Sequence, residues 1–521
     1  MAFACALLIS QRAGDPVPPA GKMLVSYEFP SSPQGWFIAG DTSDVPATFE
    51  PTGGNPGGYI SHVDEAVGET WYFRAPTGVL AQLAAAEHGT LRFSLKQSHT
   101  DAGFPDDDVV IVGAGPAGSV AGIVLARAGV GVRLVDRAAF PRDKLCGDTV
   151  NPGTLERLRR LGVDRDLDAR ALRVDGMLVT GDRGDVIDGR YPRGQSGRAI
   201  VRRDLDWMLL QQAIAAGCEY EAAIAVRRAT VDESRGTPRV TGVVAGGDGH
   251  EGLLPARVVV AADGRHSTIA FGLGLARHPA RPRRWAVGGY FEDVVPLSID
   301  AEPAEHAEKD SLGDQRSERE RGSPRALRCR SSYGEMHVRQ NCYIGVAPVP
   351  GGLTNVCLVR PSGAGDTALA DPAGLLTRAL AADSQLRDRF ADARLVAPPV
   401  VLGPLAVESP HTTIDGLLFA GDAAGFIDPM TGDGLRFAVQ GGELAAAAAL
   451  QALEHGWTGV HARLARDRRR AFASKWRFNR ALRALVSSAR AIDAAAVATR
   501  LAPGILRAVI ARAGDCDLSH R

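Results

Sequence analysis

Apolar residues concentrate in four short runs, Val109–Val112, Val132–Val135, Val258–Val260 and Leu417–Ala420. Runs this short, mostly β-branched and flanked by turn formers, predict strands buried on both faces. An Ala- and Leu-rich helical segment separates the first two, which makes a βαβ unit. Elsewhere the pattern changes. Thr90–Lys96 alternates strictly, as a half-buried antiparallel strand does, and Trp71–Phe73 predicts another strand, with turn formers crowded into Pro51–Gly58. Pro152–Leu161 predicts a helix, and Ala199–Ala215 predicts a strand end entering an amphipathic helix. Ala222–Val244 predicts paired strands, with a hairpin turn at Gly246–Gly249. Trp285–Phe291 and Met336–Val359 predict one antiparallel sheet, turning at Gly351-Gly352. Between them, Asp300–Arg328 holds almost no large apolar residue and many charges of both signs. It cannot bury enough surface to offset its ordering entropy, so a disordered insertion is expected at 300–328. A long Ala-rich helix is expected before Ala448, and helix again from Val460 to Pro503.

The βαβ unit carries Gly113, Gly115 and Gly118 in G-x-G-x-x-G spacing, between the first strand and the helix. Gly113 permits the tight turn, Gly115 lets a pyrophosphate approach the backbone, and Gly118 allows close helix–strand packing. Pro116 sits where a helix start tolerates a missing N–H, and Ala117 follows in the first turn. The helix N-terminus offers unpaired N–H groups and a positive dipole end to phosphates. Asp136 ends the second strand, with Arg137 beside it, where a carboxylate accepts from ribose hydroxyls.

A second glycine-rich stretch follows the fourth strand. Gly421-Asp422 is placed to hold a ribityl chain, Asp422 accepting from its hydroxyls. After Pro429, Gly432-Asp433-Gly434-Leu435 opens the long helix. Its N–H groups suit the negative charge that develops on the N1/O2 edge of a reduced flavin. A nicotinamide-only enzyme needs the first segment but not the other two, so FAD is expected rather than NAD.

Composition narrows this modestly. At 521 residues the chain exceeds one core, so several domains or subdomains are expected. Lys+Arg and Asp+Glu are 60 each, which gives no global argument for nucleic acid. Seven dispersed cysteines without a C-x-x-C pair fit reduced thiols, and twelve histidines show no metal-ligand spacing, so no metal is expected. The apolar N-terminus lacks a basic region before it, and no run approaches the ~18 apolar residues of a membrane span. A cytoplasmic protein is expected. The Arg-rich stretch Arg463–Arg490, with Phe472, Trp476, Phe478, Leu482 and Leu485 interleaved, admits peripheral contact with an anionic membrane. The reading we take is a helical cap whose aromatics pack on the core.

Five motifs together resemble the FAD-dependent oxidoreductases related to para-hydroxybenzoate hydroxylase, and most of all the geranylgeranyl reductase family, over about 106–448. They are Gly113–Gly118, Phe140-Pro141-Arg142-Asp143-Lys144-Leu145-Cys146-Gly147-Asp148, Arg202–Asp206, Ala262-Asp263-Gly264 to Ser267, and Gly421–Gly425 through Pro429, Gly432 and Gly434. The resemblance implies an α/β, doubly wound, Rossmann-like FAD domain (106–170, 200–275 and 405–450). A β-sheet substrate domain (171–199 and 276–404) would interrupt it, and a helical region (451–521) would follow. It also implies that Arg202 and the Cys146–Gly147–Asp148 turn approach the cofactor, and that Asp263 lies near the pyrophosphate. Residues 1–100 form a small all-β unit. Gly35-Trp36, Gly53–Ile60, Asp64, Trp71–Phe73, Ala75-Pro76 and Gly89–Leu91 resemble the first half of a laminin B (laminin IV) type domain. That resemblance implies a surface- or sugar-binding module; the reading we take is a fused remnant without activity.

Departures bear on function. Ala270 stands in the region where an Arg often follows the D-G motif, with Arg265 nearer, and a second G-x-G-x-x-G for NAD(P)H is missing. Reductant is therefore expected as transiently bound NAD(P)H or as a protein electron donor. The W-x-W-x-I-P motif of flavin halogenases is missing too. The first functional expectation is a reductase or dehydrogenase acting on a hydrophobic small molecule, with hydride passing through flavin N5. An aromatic monooxygenase using NAD(P)H and oxygen shares every motif, and a non-catalytic surface-binding protein is the third reading. Cys146 stands either as an acid or redox group near the flavin or as a small residue in a tight turn, and the second is favoured.

Overall fold

The computed structural model describes residues 2–6, 29, 31–40, 45–54, 57–63, 71–76, 78–79, 94–97, 108–182, 186–234, 236–247, 250–280, 283–297, 333–363, 366–409, 413–426, 432–486, 491 and 503–516. The expected insertion at 300–328 and Pro429 lie outside them, as do Asp64 and Gly89–Leu91 of the N-terminal motif. The chain divides into two units, Met1–Asp106 and Asp107–Arg521.

The first unit holds a four-stranded sheet in the order Thr48–Gly54, Gly57–Val63, Ala2–Ala6, Ser94–Gln97, and a three-stranded sheet of Val45–Pro46, Phe37–Gly40 and Trp71–Arg74. Phe29, Trp36, Ile38, Ala47 and Ile60 form its core. Ala2–Ala6, expected only as an apolar start, pairs with Gly57–Val63 on one side and Ser94–Gln97 on the other.

The second unit is built on a five-stranded parallel sheet. Its order is Glu219–Glu221, Val132–Val135, Val109–Val112, Val258–Ala261, Leu417–Phe419. The chain starts in the middle strand, builds outward to one side, then crosses over to the other. This doubly wound order leaves a crevice at the carboxyl ends of Val109–Val112 and Val258–Ala261. Alternate residues explain why the runs are apolar throughout. Val109, Ile111, Leu134, Val258, Val260 and Leu418 face a helical layer, while Val110, Val112, Val135, Val259 and Phe419 face the other side. The helices Pro116–Arg127 and Gly434–His455 cross at small residues: a Cβ on Gly442 would collide with the Ala117 carbonyl. The polar edge strand Glu219–Glu221 carried no apolar run for the sequence to reveal.

A second sheet has eight strands. Val186–Arg190, Gly176–Thr180, Tyr333–Arg339, Cys342–Val349, Leu353–Pro361 and Arg284–Glu292 run in that order, and Arg394–Leu395 and Val400–Leu402 both pair with Arg284–Glu292. It is mixed rather than purely antiparallel, because Gly176–Thr180 pairs in parallel with Tyr333–Arg339. A parallel pair needs a long crossover, and here the chain returns through the parallel-sheet domain between those strands. Leu172–Val174 and Gly197–Ala199, expected in this sheet, instead pair with each other, and Gly197–Ala199 pairs on its other side with Thr149–Val150. Beyond Val460–Val486, Pro503 opens a further helix, Pro503–Ala513, rather than ending one, since proline suits the first helical position. Phe472 packs edge-on against Phe437 at 5.1 Å, with Trp476 beside both, which is the packing expected of a cap. Among the described residues no helix is long and apolar enough to cross a membrane.

Candidate functional site

The carboxyl ends of the parallel strands collect the sequence motifs. Gly113 takes φ 101°, and a Cβ there would meet the Ala262 carbonyl oxygen at 2.5 Å, so the turn into the helix presses on the next strand. A Cβ on Gly118 would collide with the Gly113 carbonyl. Gly115 differs: among the described residues a Cβ there would meet only Arg142 Nη2, at 3.5 Å. It is the N-cap of Pro116–Arg127, makes no side-chain cap, and no acid occupies the first turn. The helix therefore starts with free N–H groups beside an open cradle and a guanidinium, which is the donor set a diphosphate needs.

Asp136 has more to do than expected. Its Oδ2 accepts from Ala114 N–H and its Oδ1 from Ala138 N–H, each at 2.8 Å. Beside the ribose hydroxyls the motif assigns to it, it holds the glycine turn. The reason is that an acid at a strand end faces the neighbouring loop's unpaired donors. Each oxygen keeps a second lone pair for a ribose. Arg137 is exposed beside it.

Asp263 stands across the crevice. Its Oδ2 accepts from Thr268 N–H at 2.8 Å, while Oδ1 is buried without a hydrogen-bond partner among the described residues. Burial raises this carboxyl above its usual range. A buried acceptor without a donor is incomplete, and a ligand hydroxyl would complete it.

Gly421 takes φ 59°, and a Cβ on it would meet the Ala117 Cβ at 2.8 Å, which ties Gly421-Asp422 to the fingerprint helix. Gly432, at φ 66°, and Asp433 lead into Gly434–His455, whose first turn holds no acid; Leu435 is buried. The structure thus brings Gly113–Gly118, Asp263 and Gly421-Asp422 to one end of the sheet.

The Cys146–Asp148 turn occupies the joint between the two sheets. Asp148 is 1% exposed and takes φ 50°. Its Oδ2 accepts from Tyr290 Oη at 2.6 Å and Asn355 Nδ2 at 2.5 Å, and its Oδ1 from Arg202 N–H at 3.2 Å. Burial outweighs these donors and raises the carboxyl to about 6. Asn355 Nδ2 also donates to the Cys146 carbonyl at 2.7 Å, and Cys146 itself is half-buried beside the exposed Gly147. Arg202, implied by resemblance to approach the cofactor, spends its guanidinium on Asp206, with bonds of 2.7 and 2.9 Å. An (i, i+4) acid on the same buried helix face captures it.

Sequence reasoning gave no role to Arg142 or Lys144. Arg142 reaches Asp206 at 3.3 Å as well as Gly115. The Lys144 ammonium is pushed down by burial and by Arg202, and drawn back up by Asp422 and Asp206. Arg265, pushed down by burial, also feels Asp422. The signal for Arg142 and Lys144 was the alternating charge within the Phe140–Asp148 motif. A cationic cluster, an open glycine cradle, an orphaned Asp263 oxygen and Asp422 at the far end fit an extended dinucleotide such as FAD. Among the described residues no group of His, Cys, Asp and Glu could hold a metal ion.

A family model described as "FAD binding domain" matches residues 106–320. Conditioned medium factor receptor 1 of Dictyostelium discoideum is 30% identical over 358 residues, 66% of this chain and 63% of that protein. The chain thus spans somewhat under two thirds of that relative. Digeranylgeranylglycerophospholipid reductase 2 of Methanopyrus kandleri is 29% identical over 355 residues, 68% of this chain and 79% of the relative. Among solved structures, the flavin-dependent brominase Bmp2 is similar with a TM-score of 0.64 at 21% identity, covering 79% of this chain and 94% of that one. At that identity the likeness speaks for the fold alone.

Proposed function

We propose that this chain, an FAD-dependent oxidoreductase, is a reductase of the geranylgeranyl reductase kind that acts on a carbon–carbon double bond of an isoprenoid or similarly hydrophobic small molecule. One observation carries the proposal. An apolar cluster on the eight-stranded sheet, including Ala286, Met336, Val338 and Leu405, extends through Phe426, and Phe426 Cε2 would lie 3.9 Å from a Cβ on Gly434. The apolar core of the eight-stranded sheet therefore reaches, through the partly buried Phe426, the helix start that the flavin ring requires. The likeness to a digeranylgeranylglycerophospholipid reductase supports the same substrate class.

Bound FAD supplies the hydride, delivered through N5. The protein's part is placement. Gly113–Gly118 and Arg142 would hold the diphosphate, Asp136 the adenosine ribose, and Asp422 the ribityl hydroxyls. The N–H groups at Gly434 and Leu435 would serve the electron-rich edge of the ring, and the sheet would keep water from the substrate. NAD(P)H or a protein donor replenishes electrons by transient contact. Residues 1–100, laminin B-like by resemblance, take no part in the chemistry.

The test is NADPH oxidation by the purified flavoprotein with an isoprenoid lipid or with small phenols. Lipid-dependent oxidation without oxygen uptake supports the reductase. Oxidation and oxygen uptake triggered together by a phenol would replace it with a monooxygenase.

A further inference from the structure

An aspartate immediately before a helix ordinarily accepts from that helix's own first N–H groups. Asp433 precedes Gly434–His455 yet makes no such bond among the described residues, and its backbone is helical (φ −79°, ψ −3°) rather than extended as a capping residue's is. Its carboxylate is drawn elsewhere. Lys475 Nζ lies 3.1 Å from Oδ1, and Asn479 Nδ2 donates to Oδ2 at 3.0 Å. Lys475 and Asn479 are one turn apart on Val460–Val486, so one helix face presents both donors.

Lys475 is itself held in place. Its side chain is 1% exposed. Nζ donates to the carbonyls of Arg512 and Ala513, at 2.8 and 2.7 Å, and lies 3.5 Å from Asp515. Those carbonyls belong to the last turn of Pro503–Ala513, where a cation is favoured. Asp515 pairs in turn with Arg436 in the first turn of the long helix. Two carboxylates, an ammonium and a guanidinium are buried together without net charge. Desolvating four ions is costly, and such a cluster contributes chiefly by fixing geometry.

We propose that Lys475 and Asn479 are positioning residues that hold the Asp433 carboxylate off the start of the helix Gly434–His455, leaving its first N–H groups free for the flavin ring. The inference rests on the FAD assignment proposed above. Without Lys475, Asp433 is released to shift to the extended conformation of a capping residue and cap its own helix. It then occupies the N–H groups and sets a negative charge where charge must accumulate on reduction. FAD binds more weakly and becomes harder to reduce.

The experiment measures FAD dissociation constants and flavin midpoint potentials in the full-length protein. Lys475→Met is expected to weaken FAD on the order of tenfold and to move the midpoint potential to more negative values. Asn479→Leu, which keeps every charge, is expected to do both to a smaller extent and covers the case in which Lys475→Met does not fold. Adding Asp433→Asn to either variant removes the intruding charge and is expected to bring the potential back toward the parent value, which a merely structural role would not do. A potential unchanged in Asn479→Leu, or one not restored by Asp433→Asn, overturns the proposal. A parent protein that binds no FAD overturns the cofactor assignment itself, and the inference with it.

Discussion

The Asp148 carboxyl offers a quantitative test of the joint between the two sheets. It is buried, and burial lifts it from 3.8 to about 6 despite donors from Tyr290, Asn355 and Arg202. A folded-state value above the unfolded one means that the native protein binds the proton more tightly. The associated stability is fully present below about pH 4 and is lost as pH rises through about 6. At ~1.4 kcal/mol per pH unit, the difference between 3.8 and about 6 corresponds to ~3 kcal/mol. Asp148→Asn removes the titration, keeps an acceptor for Tyr290, and suits the left-handed backbone, which asparagine tolerates. It also sets an amide N–H₂ against Arg202 N–H, a constant cost of ~1–3 kcal/mol at every pH. The assay is urea unfolding of parent and variant at pH 4, 5, 6 and 7. The parent is expected to lose about 2.4 kcal/mol relative to Asp148→Asn between pH 4 and pH 7, the small remainder falling below pH 4. Parallel stability curves would show that Asp148 is ionised at no net cost and would refute the reasoning.

Asp422→Ala is expected to weaken FAD by about one to two decades, the value of a charge-assisted hydrogen bond, without lowering the melting temperature of the apoprotein. Asp136→Ala is expected to lower both, because its carboxylate also holds Ala114 and Ala138; calorimetry beside fluorescence titration separates the two. Gly118→Ala drives a Cβ into the Gly113 carbonyl and is expected to cost ~1–3 kcal/mol or more, read by thermal unfolding. A protein lacking Met1–Thr100 is expected to retain FAD, since the second unit has cores of its own; loss of flavin from soluble truncated protein would contradict this.

The sequence revealed what is locally dictated. Gly113, Gly115 and Gly118 follow from the sterics of one strand–turn–helix, and the apolar runs follow from a sheet covered on both faces. What stayed hidden depends on distant partners. Tyr290 and Asn355 reach Asp148 across 142 and 207 positions, and no local pattern marks them. Asp433 looked like part of a glycine-rich turn, and only the fold shows Lys475 pulling its carboxylate away. The motif places an acid at Asp136 for a ribose; the structure adds the Ala114 and Ala138 amides that it also holds. Resemblance ties Arg202 to the cofactor; what no local pattern shows is that its guanidinium is paired with Asp206, at 2.7 and 2.9 Å. The parallel pairing of Gly176–Thr180 with Tyr333–Arg339 could not be read from either strand alone, since alternation does not encode direction.

The central claim is that a hydride and a proton are added across a hydrophobic double bond. Its most direct measurement is the product mass after anaerobic incubation of the FAD-loaded, chemically reduced protein with a geranylgeranyl lipid. The account predicts a product heavier by two hydrogens per saturated bond, with the flavin's oxidised absorbance returning in step. Unchanged lipid under nitrogen, together with a phenol that gains one oxygen atom once air is admitted, would contradict it.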